Sequence, residues 1–263
     1  MRRAFLGEIV GTFLLVFFGC GAVACSVSEG ALSGLFQVAI VWGMGLSVAI
    51  YLTGGLSGAH LNPAISLAFA VFTPFPARRL PTYILAQFLG AFLAAGAVYG
   101  LYEGSIQAYE SEQGIERGGA GSEATAMIFG EFFPNPGGRA LQDSDRERVS
   151  SGRAFFAEFL GTALLALVVF GFTASSNEQG PSKLTPLAIG VALTTLICVF
   201  APVSMAGFNP ARDLAPRLFS SLAGWGDIPF TVNGIGWFSV YLLAPCLGAL
   251  TGGWISQRLL WSN

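Results

Sequence analysis

Asn62-Pro63-Ala64 recurs 147 residues later as Asn209-Pro210-Ala211. Asn is among the most favoured residues at the N-cap of a helix, and Pro is favoured at the first helical position. Each triplet therefore predicts the start of a helix. The apolar run after the first triplet ends at Pro74, and the run after the second is interrupted by Pro216. We therefore expect two half-helices that are too short to cross a bilayer.

A second motif is repeated at nearly the same offset. Glu8-Ile-Val-Gly-Thr12 matches Glu158-Phe-Leu-Gly-Thr162, 150 residues later. A duplication of about half the chain explains both pairs, and it predicts repeats over approximately 5–101 and 154–256 within a single domain, 1–263. Three membrane spans separate the two glutamates. Because three is odd, the second repeat must enter the membrane from the opposite face, and the half-helices then meet near the midplane.

The composition is that of a membrane protein. Of the 263 residues, 53% are hydrophobic and 11% are charged, whereas soluble domains carry roughly 25% charged residues. We predict an all-α membrane protein with six transmembrane helices and two re-entrant half-helices in an inverted repeat. The predicted spans lie at about Phe5–Cys25, Leu35–Leu52, Pro81–Leu101, Ala154–Thr173, Pro186–Phe200 and Ile235–Trp254.

Charge and residue counts exclude several functional classes. A net charge of −2 without a basic tract argues against a nucleic-acid partner. The sequence has one histidine, His60, and this argues against a metal site or a His-dependent hydrolase. We favour a loop-stabilising hydrogen bond for it, with a pH gate as the alternative. Since no nucleophile–base pair or cofactor loop is visible, we expect neither an enzyme nor a cofactor.

Basic residues set the expected orientation. Arg2, Arg3, Arg78, Arg79, Lys183 and Arg258 fall on one side of a six-span topology. Positive loops face the cytoplasm, so both termini are predicted to be cytoplasmic in a multi-pass protein of the plasma (cell or inner) membrane. Residues 102–153 are acidic and are expected to form a long, flexible extracellular loop with a short helix near 129–133.

The two asparagines suggest a solute site. A capping Asn uses its side-chain oxygen on the helix, which leaves its NH₂ group as an outward donor. Two such amides at the midplane would offer donors to the oxygens of a polar solute. Each helix N-terminus also carries roughly +0.5 of a charge, so the facing ends would repel cations. The alternative is two unrelated cap-and-proline turns.

These motifs resemble those of the major intrinsic protein family, the aquaporins and aquaglyceroporins. The resemblance is carried by residues 57–64 (Ser-Gly-Ala-His-Leu-Asn-Pro-Ala) and 207–213 (Gly-Phe-Asn-Pro-Ala-Arg-Asp), and by the two Glu-x-x-Gly-Thr segments. It implies a helical bundle with one pore per protomer, usually in a homotetramer. It also implies that Glu8 and Glu158 brace the loops before the half-helices. A ladder of backbone carbonyls is implied at Gly58, Ala59, His60, Ala206, Gly207 and Phe208.

The resemblance further implies a selectivity filter made of Trp42, Ile197, Ala206 and Arg212. Water-selective members typically have His where this chain has Ile197, and this apolar, roomier set favours a small polyol. The set is similar to that of plant nodulin-like channels and their bacterial relatives, which pass glycerol and metalloid hydroxides. Asp213, with Arg217 four residues later, resembles the glycerol-conducting branch.

The predicted function is a passive channel for glycerol and other small uncharged solutes, with some water permeability and exclusion of protons and ions. The expected partners are these solutes, the lipid bilayer and three further copies of the chain. Two alternatives are a channel that prefers water or metalloid hydroxides, and an adhesion or junction protein with a closed pore.

Ile197→His tests the placement of this residue in the filter. The imidazole would narrow the passage and add hydrogen-bonding groups, so polyol flux should fall more than water flux in stopped-flow measurements on proteoliposomes. An equal fall in both fluxes would place Ile197 outside the filter.

Overall fold

The computed structural model describes residues 1–261, and the regular secondary structure in that range is all helical. Six of its helices are long and apolar enough to cross a membrane, which confirms the predicted all-α fold with six spans. The spans are α1 (Arg2–Ser28), α2 (Leu35–Ser57), α4 (Leu80–Gln113), α5 (Ser151–Thr173), α6 (Thr185–Ser204) and α8 (Gly236–Leu260). The half-helices are α3 (Pro63–Phe72) and α7 (Pro210–Ser220).

Helix α4 is longer than its apolar stretch predicts. It has 34 residues, whereas a span needs about 20. Residues 102–113, expected in a loop, are instead the last three turns of this helix. The helix ends at Gly114, which adopts φ 65° and supplies the left-handed C-cap that other residues adopt less readily.

The rest of the 102–153 segment also differs from the expectation of a flexible loop. Its side chains Ile128, Phe129 and Phe132 are buried against the bundle. The prediction of a short helix near 129–133 is wrong. The short helices of this segment are instead Glu123–Ala126 and Asp143–Arg148.

Three ion pairs hold the remainder of this segment, one of them between Arg148 and Asp145 at 2.5 Å. Arg117 donates to Glu110 at 2.7 Å, and Arg139 contacts Asp145 at 2.6 Å. Hydrogen bonds from Arg139 hold the pKa of Asp145 well below its ordinary value. This segment is therefore a folded part of the protein.

The helices pack in the same pattern in both halves of the chain. α1 packs against α2 and α4, and α5 packs against α6 and α8. Each half-helix packs against the last span of the other half: α3 against α8, and α7 against α4. α2 and α6 cross at the centre. The half-helices are therefore held in the bundle by the exchange of contacts between halves.

Glycines allow the closest crossings. A Cβ on Gly43 of α2 would meet the carbonyl oxygen of Gly190 on α6, and a Cβ on Gly190 would meet that of Gly43. In the same way, Gly90 of α4 lies against the carbonyl of Ile9. Small residues at such crossings let helix backbones approach in a membrane, where no hydrophobic force draws helices together.

Gly43→Ala should lower the stability of the bundle, because the added methyl group must push α2 away from α6. We expect a loss of about 1–3 kcal/mol, typical of overpacking, seen as a lower midpoint of heat-induced aggregation in detergent. Gly21→Ala is the matched control, since a Cβ at Gly21 on α1 meets no atom within 4 Å. Equal midpoints for the two variants would contradict this account of the crossing.

Candidate functional site

The two half-helices begin at asparagine caps. The side-chain oxygen of Asn62 accepts the backbone N–H of Ala64 at 2.8 Å, and that of Asn209 accepts the N–H of Ala211 at 3.1 Å. A proline follows each cap as the first helical residue. Both helix starts therefore have the local structure that their triplets predict.

The two caps are tied to each other's loops. The Nδ2 group of Asn62 donates to the carbonyl of Phe208 at 2.8 Å, and that of Asn209 donates to the carbonyl of Leu61 at 2.7 Å. These bonds bring the two half-helix tips together. They also use one of the two N–H groups of each amide, so each asparagine keeps one N–H group as a free donor.

The loops before the caps have unusual backbone conformations. Ala59 and Leu61 have φ of 50° and 53°, and Ala206 and Phe208 have φ of 62° and 54°. A non-glycine residue in this region costs roughly 1–3 kcal/mol and persists only where its surroundings impose it. The equivalent pairs are strained in the same way, so the same feature of the fold must impose the strain in both halves.

Glu8 accepts hydrogen bonds from the backbone of the first loop. Its carboxylate, fully buried in α1, accepts the backbone N–H of His60 at 3.0 Å and that of Leu61 at 2.8 Å. It also accepts the side-chain amide of Gln87 at 2.7 Å. Because the carboxylate takes the N–H groups on one side of the loop, the carbonyls are left for the other side.

Glu158 of α5 holds the second loop in the same way. It accepts the N–H of Gly207 at 2.9 Å and that of Phe208 at 2.7 Å. The hydroxyl of Ser204 donates to it at 2.6 Å. Glu8 and Glu158 thus lie where the bracing role implied by the family resemblance requires them.

His60 lies against an aromatic cluster. Its ring stacks on Phe69 with centroids 4.6 Å apart, and its Nδ1 is 3.1 Å from the hydroxyl of Ser66. Tyr83 and Phe75 pack around the same ring. These contacts favour the loop-stabilising interpretation over a free, titrating gate.

A single cavity passes the two tips. Its wall includes both cap asparagines, all six residues of the expected carbonyl ladder and all four residues of the expected filter. Apolar side chains such as Leu15, Leu165 and Val169 form the remaining wall. Pro63, Ala64, Pro210 and Ala211 are buried behind the asparagines and do not border this cavity. The cavity lining therefore combines polar groups of the two loops and caps with apolar side chains of the surrounding helices.

Three of the expected filter residues lie between two cavities, at a place that we call the neck. Trp42, Ile197 and Arg212 border this cavity and also a second one of about 280 Å³. The guanidinium carbon of Arg212 is 4.1 Å from the ring centroid of Trp42. Ala206 borders only the first cavity.

Sequence reasoning missed one residue at this neck. Glu131, in the 102–153 segment, forms an ion pair with Arg212, and its side chain is 1% exposed. The available signal was a lone acid inside the apolar run from Met127 to Phe133. A charge in such a run needs a buried partner.

The backbone of Glu131 is docked on α7. Its N–H donates to Asp213 at 2.7 Å, and its carbonyl accepts from the Arg217 guanidinium. Asp213 and Arg217 are themselves paired at 2.7 Å. These two residues therefore fasten the 102–153 segment beside the neck.

Comparisons with known proteins agree with this geometry. The family model described as "Major intrinsic protein" matches residues 1–256. A glycerol uptake facilitator protein of Pseudomonas aeruginosa is 43% identical, covering 94% of this chain and 85% of the relative. A protein of the same name from Haemophilus influenzae is 39% identical, covering 98% and 94%. The solved aquaglyceroporin from Plasmodium falciparum superposes with a TM-score of 0.81 at 27% identity, covering 98% and 97% of the two chains.

Glu158→Gln should destabilise the protein. The amide has a single acceptor oxygen and places its NH₂ group against donors, so about 1–3 kcal/mol should be lost. Thermal unfolding in detergent measures the loss. Glu178→Gln, at an exposed loop position, is the control and should unfold like the parent protein. A Glu158→Gln protein as stable as the control would show that the carboxylate does not hold the loop.

Proposed function

We propose a channel function for this chain from one premise: the chain belongs to the major intrinsic protein family. It is a multi-pass integral membrane protein. Its function is the passive passage of glycerol and other small uncharged solutes, with some water, and it catalyses no reaction. The names of its relatives, glycerol uptake facilitators, support the choice of solute.

The observation that carries the proposal is the two-sided neck. Arg212, whose guanidinium lies over the Trp42 ring, offers donors, and Ile197 presents an apolar side chain to the same space. A polyol has hydroxyl groups along one edge and C–H groups along the other, so it can satisfy both sides at once. With Ile197 in place of a polar group, the wall offers water fewer hydrogen bonds than it would with His.

Past the neck, the same division continues. Hydroxyl groups would donate to the carbonyls of the two strained loops and accept from the free N–H of Asn62 and of Asn209. Carbons would slide along Leu15, Leu165 and Val169. Each hydrogen bond that the solute leaves is replaced by the next one, which keeps the cost of removing the solute from water low.

Ions meet an unfavourable environment in the same passage. The N-termini of α3 and α7 face the centre with positive dipole ends, and Arg212 adds a charge at the neck. Helix dipoles and an arginine of this kind are among the general devices that exclude protons and cations from aquaporin-type pores. Both asparagines act there as donors only, because their oxygens are used as caps, which interrupts any proton-conducting chain of water.

The surroundings of the channel are part of the proposal. α1 and α2 expose large apolar side chains, including Leu6, Val10, Val48 and Leu52. This surface suits lipid tails or the helices of neighbouring copies. We infer a homotetramer in the plasma membrane with both termini in the cytoplasm, as the positive loops indicate.

Glycerol flux into proteoliposomes tests the function. Vesicles with the protein should take up glycerol several times faster than empty vesicles in a light-scattering assay. Ile197→Trp is the matched control, since an indole at the neck should return uptake to the empty-vesicle rate while the protein stays folded.

Three other outcomes would contradict the proposal. Water flux without glycerol flux would indicate a water channel, and boric or arsenous acid flux without glycerol flux would indicate a metalloid channel. A folded protein that passes none of these solutes would support an adhesion or junction role.

A further inference from the structure

The filter arginine has an acidic partner that comes from outside the two half-helices. Glu131 pairs with Arg212 while its own backbone is fixed on α7. Apart from this contact, the Glu131 carboxylate has no hydrogen-bond partner within residues 1–261. The pair therefore consists of two buried charges that depend on each other.

Four charged side chains meet here, and their charges sum to zero. Arg217 forms an ion pair with Asp213 at 2.7 Å. Within the described chain, the ion pair of Arg212 is with Glu131. Within residues 1–261, Arg212 thus has Glu131 as its direct ion-pair partner, while the adjacent Asp213 is paired with Arg217.

The 102–153 segment does not need the Glu131 carboxylate in order to dock on α7. The main chain of Glu131 is already held through its N–H by Asp213 and through its carbonyl by Arg217. Burying a carboxylate and a guanidinium has a large desolvation cost, and such a pair stabilises a fold poorly compared with apolar side chains of similar volume. The side chain is therefore better explained by its effect on Arg212 than by the stability of the fold.

We propose that Glu131 is a positioning residue that sets solute selectivity through Arg212. Its carboxylate holds the guanidinium against Trp42 and compensates its charge. The neck stays open on its apolar side, and the arginine offers donors to a passing hydroxyl without retaining it. This inference rests on the proposed channel function.

Loss of the negative charge should affect polyols more than water. Without Glu131, the guanidinium would lose its ion-pair partner and would bind the hydroxyl oxygens of a passing solute more tightly. It would also lose the contact that keeps it against Trp42. A three-carbon polyol fills the neck and depends on the position of both walls, whereas a single water molecule does not.

E131Q is the test, with glycerol and water permeabilities measured on the same proteoliposomes. We expect the ratio of glycerol to water permeability to fall by about threefold or more, the effect of losing one charge-assisted contact. E110Q is the matched control. It removes another buried carboxylate of the same segment from its arginine, Arg117, but away from the neck, so its ratio should equal that of the parent.

A second comparison separates positioning from a general structural role. In an R212A background, E131Q should change the ratio no further, because the residue it acts through is gone. If E131Q does not fold, E131D is used instead; it keeps the charge but draws it back from Arg212, and should lower the ratio in the same direction.

The inference fails if E131Q, or E131D in its place, keeps the parental ratio, if E110Q lowers the ratio equally, or if E131Q still lowers it without Arg212. Failure of the proposed function looks different: the parent protein itself would then show no glycerol flux above empty vesicles.

Discussion

The reciprocal hydrogen bonds between Asn62 and the Phe208 carbonyl, and between Asn209 and the Leu61 carbonyl, are the constraint on which the passage depends. Two helices that begin inside a membrane leave their first N–H groups without water, so each needs a cap. Here each cap also bonds to the loop of the opposite half. The loops must then turn back with carbonyls exposed, which requires left-handed φ values, and buried carboxylates must hold that strain. Neither half could form this centre alone.

The inverted repeat is symmetric at the centre and asymmetric at the neck. Position three after each asparagine is Ile65 in the first half and Arg212 in the second. Both side chains border the cavity. The duplicated geometry therefore presents an apolar residue to one entrance and a charge to the other. The 102–153 segment docks only on the charged side, where Asp213 and Arg217 receive it.

Local physics made most of this predictable from sequence. The helix caps, the membrane spans and the equivalence of Glu8 and Glu158 in the two repeats follow from hydropathy, capping and two repeated motifs. Three features did not follow. The polar residues after Leu101 hid the extension of α4. The helix continues through Gly104 and ends only at Gly114, and no proline interrupts it between them. Alanine and leucine rarely adopt positive φ, so the residue types at Ala59 and Leu61 do not predict the conformations observed there. The position of Glu131 depends on docking against a helix some 80 residues away in the chain.

That last feature has a consequence for how selectivity can be inferred in such a protein. The four expected filter positions are identified from sequence alone: Trp42 and Arg212 by motif, and Ile197 and Ala206 by counting back from Asn209. In the arrangement we propose, the orientation of the arginine among them depends also on a carboxylate in a segment that the repeat does not contain. Two chains with the same four filter residues can therefore differ at the neck. The 102–153 segment, rather than the filter alone, must enter any account of what this channel admits.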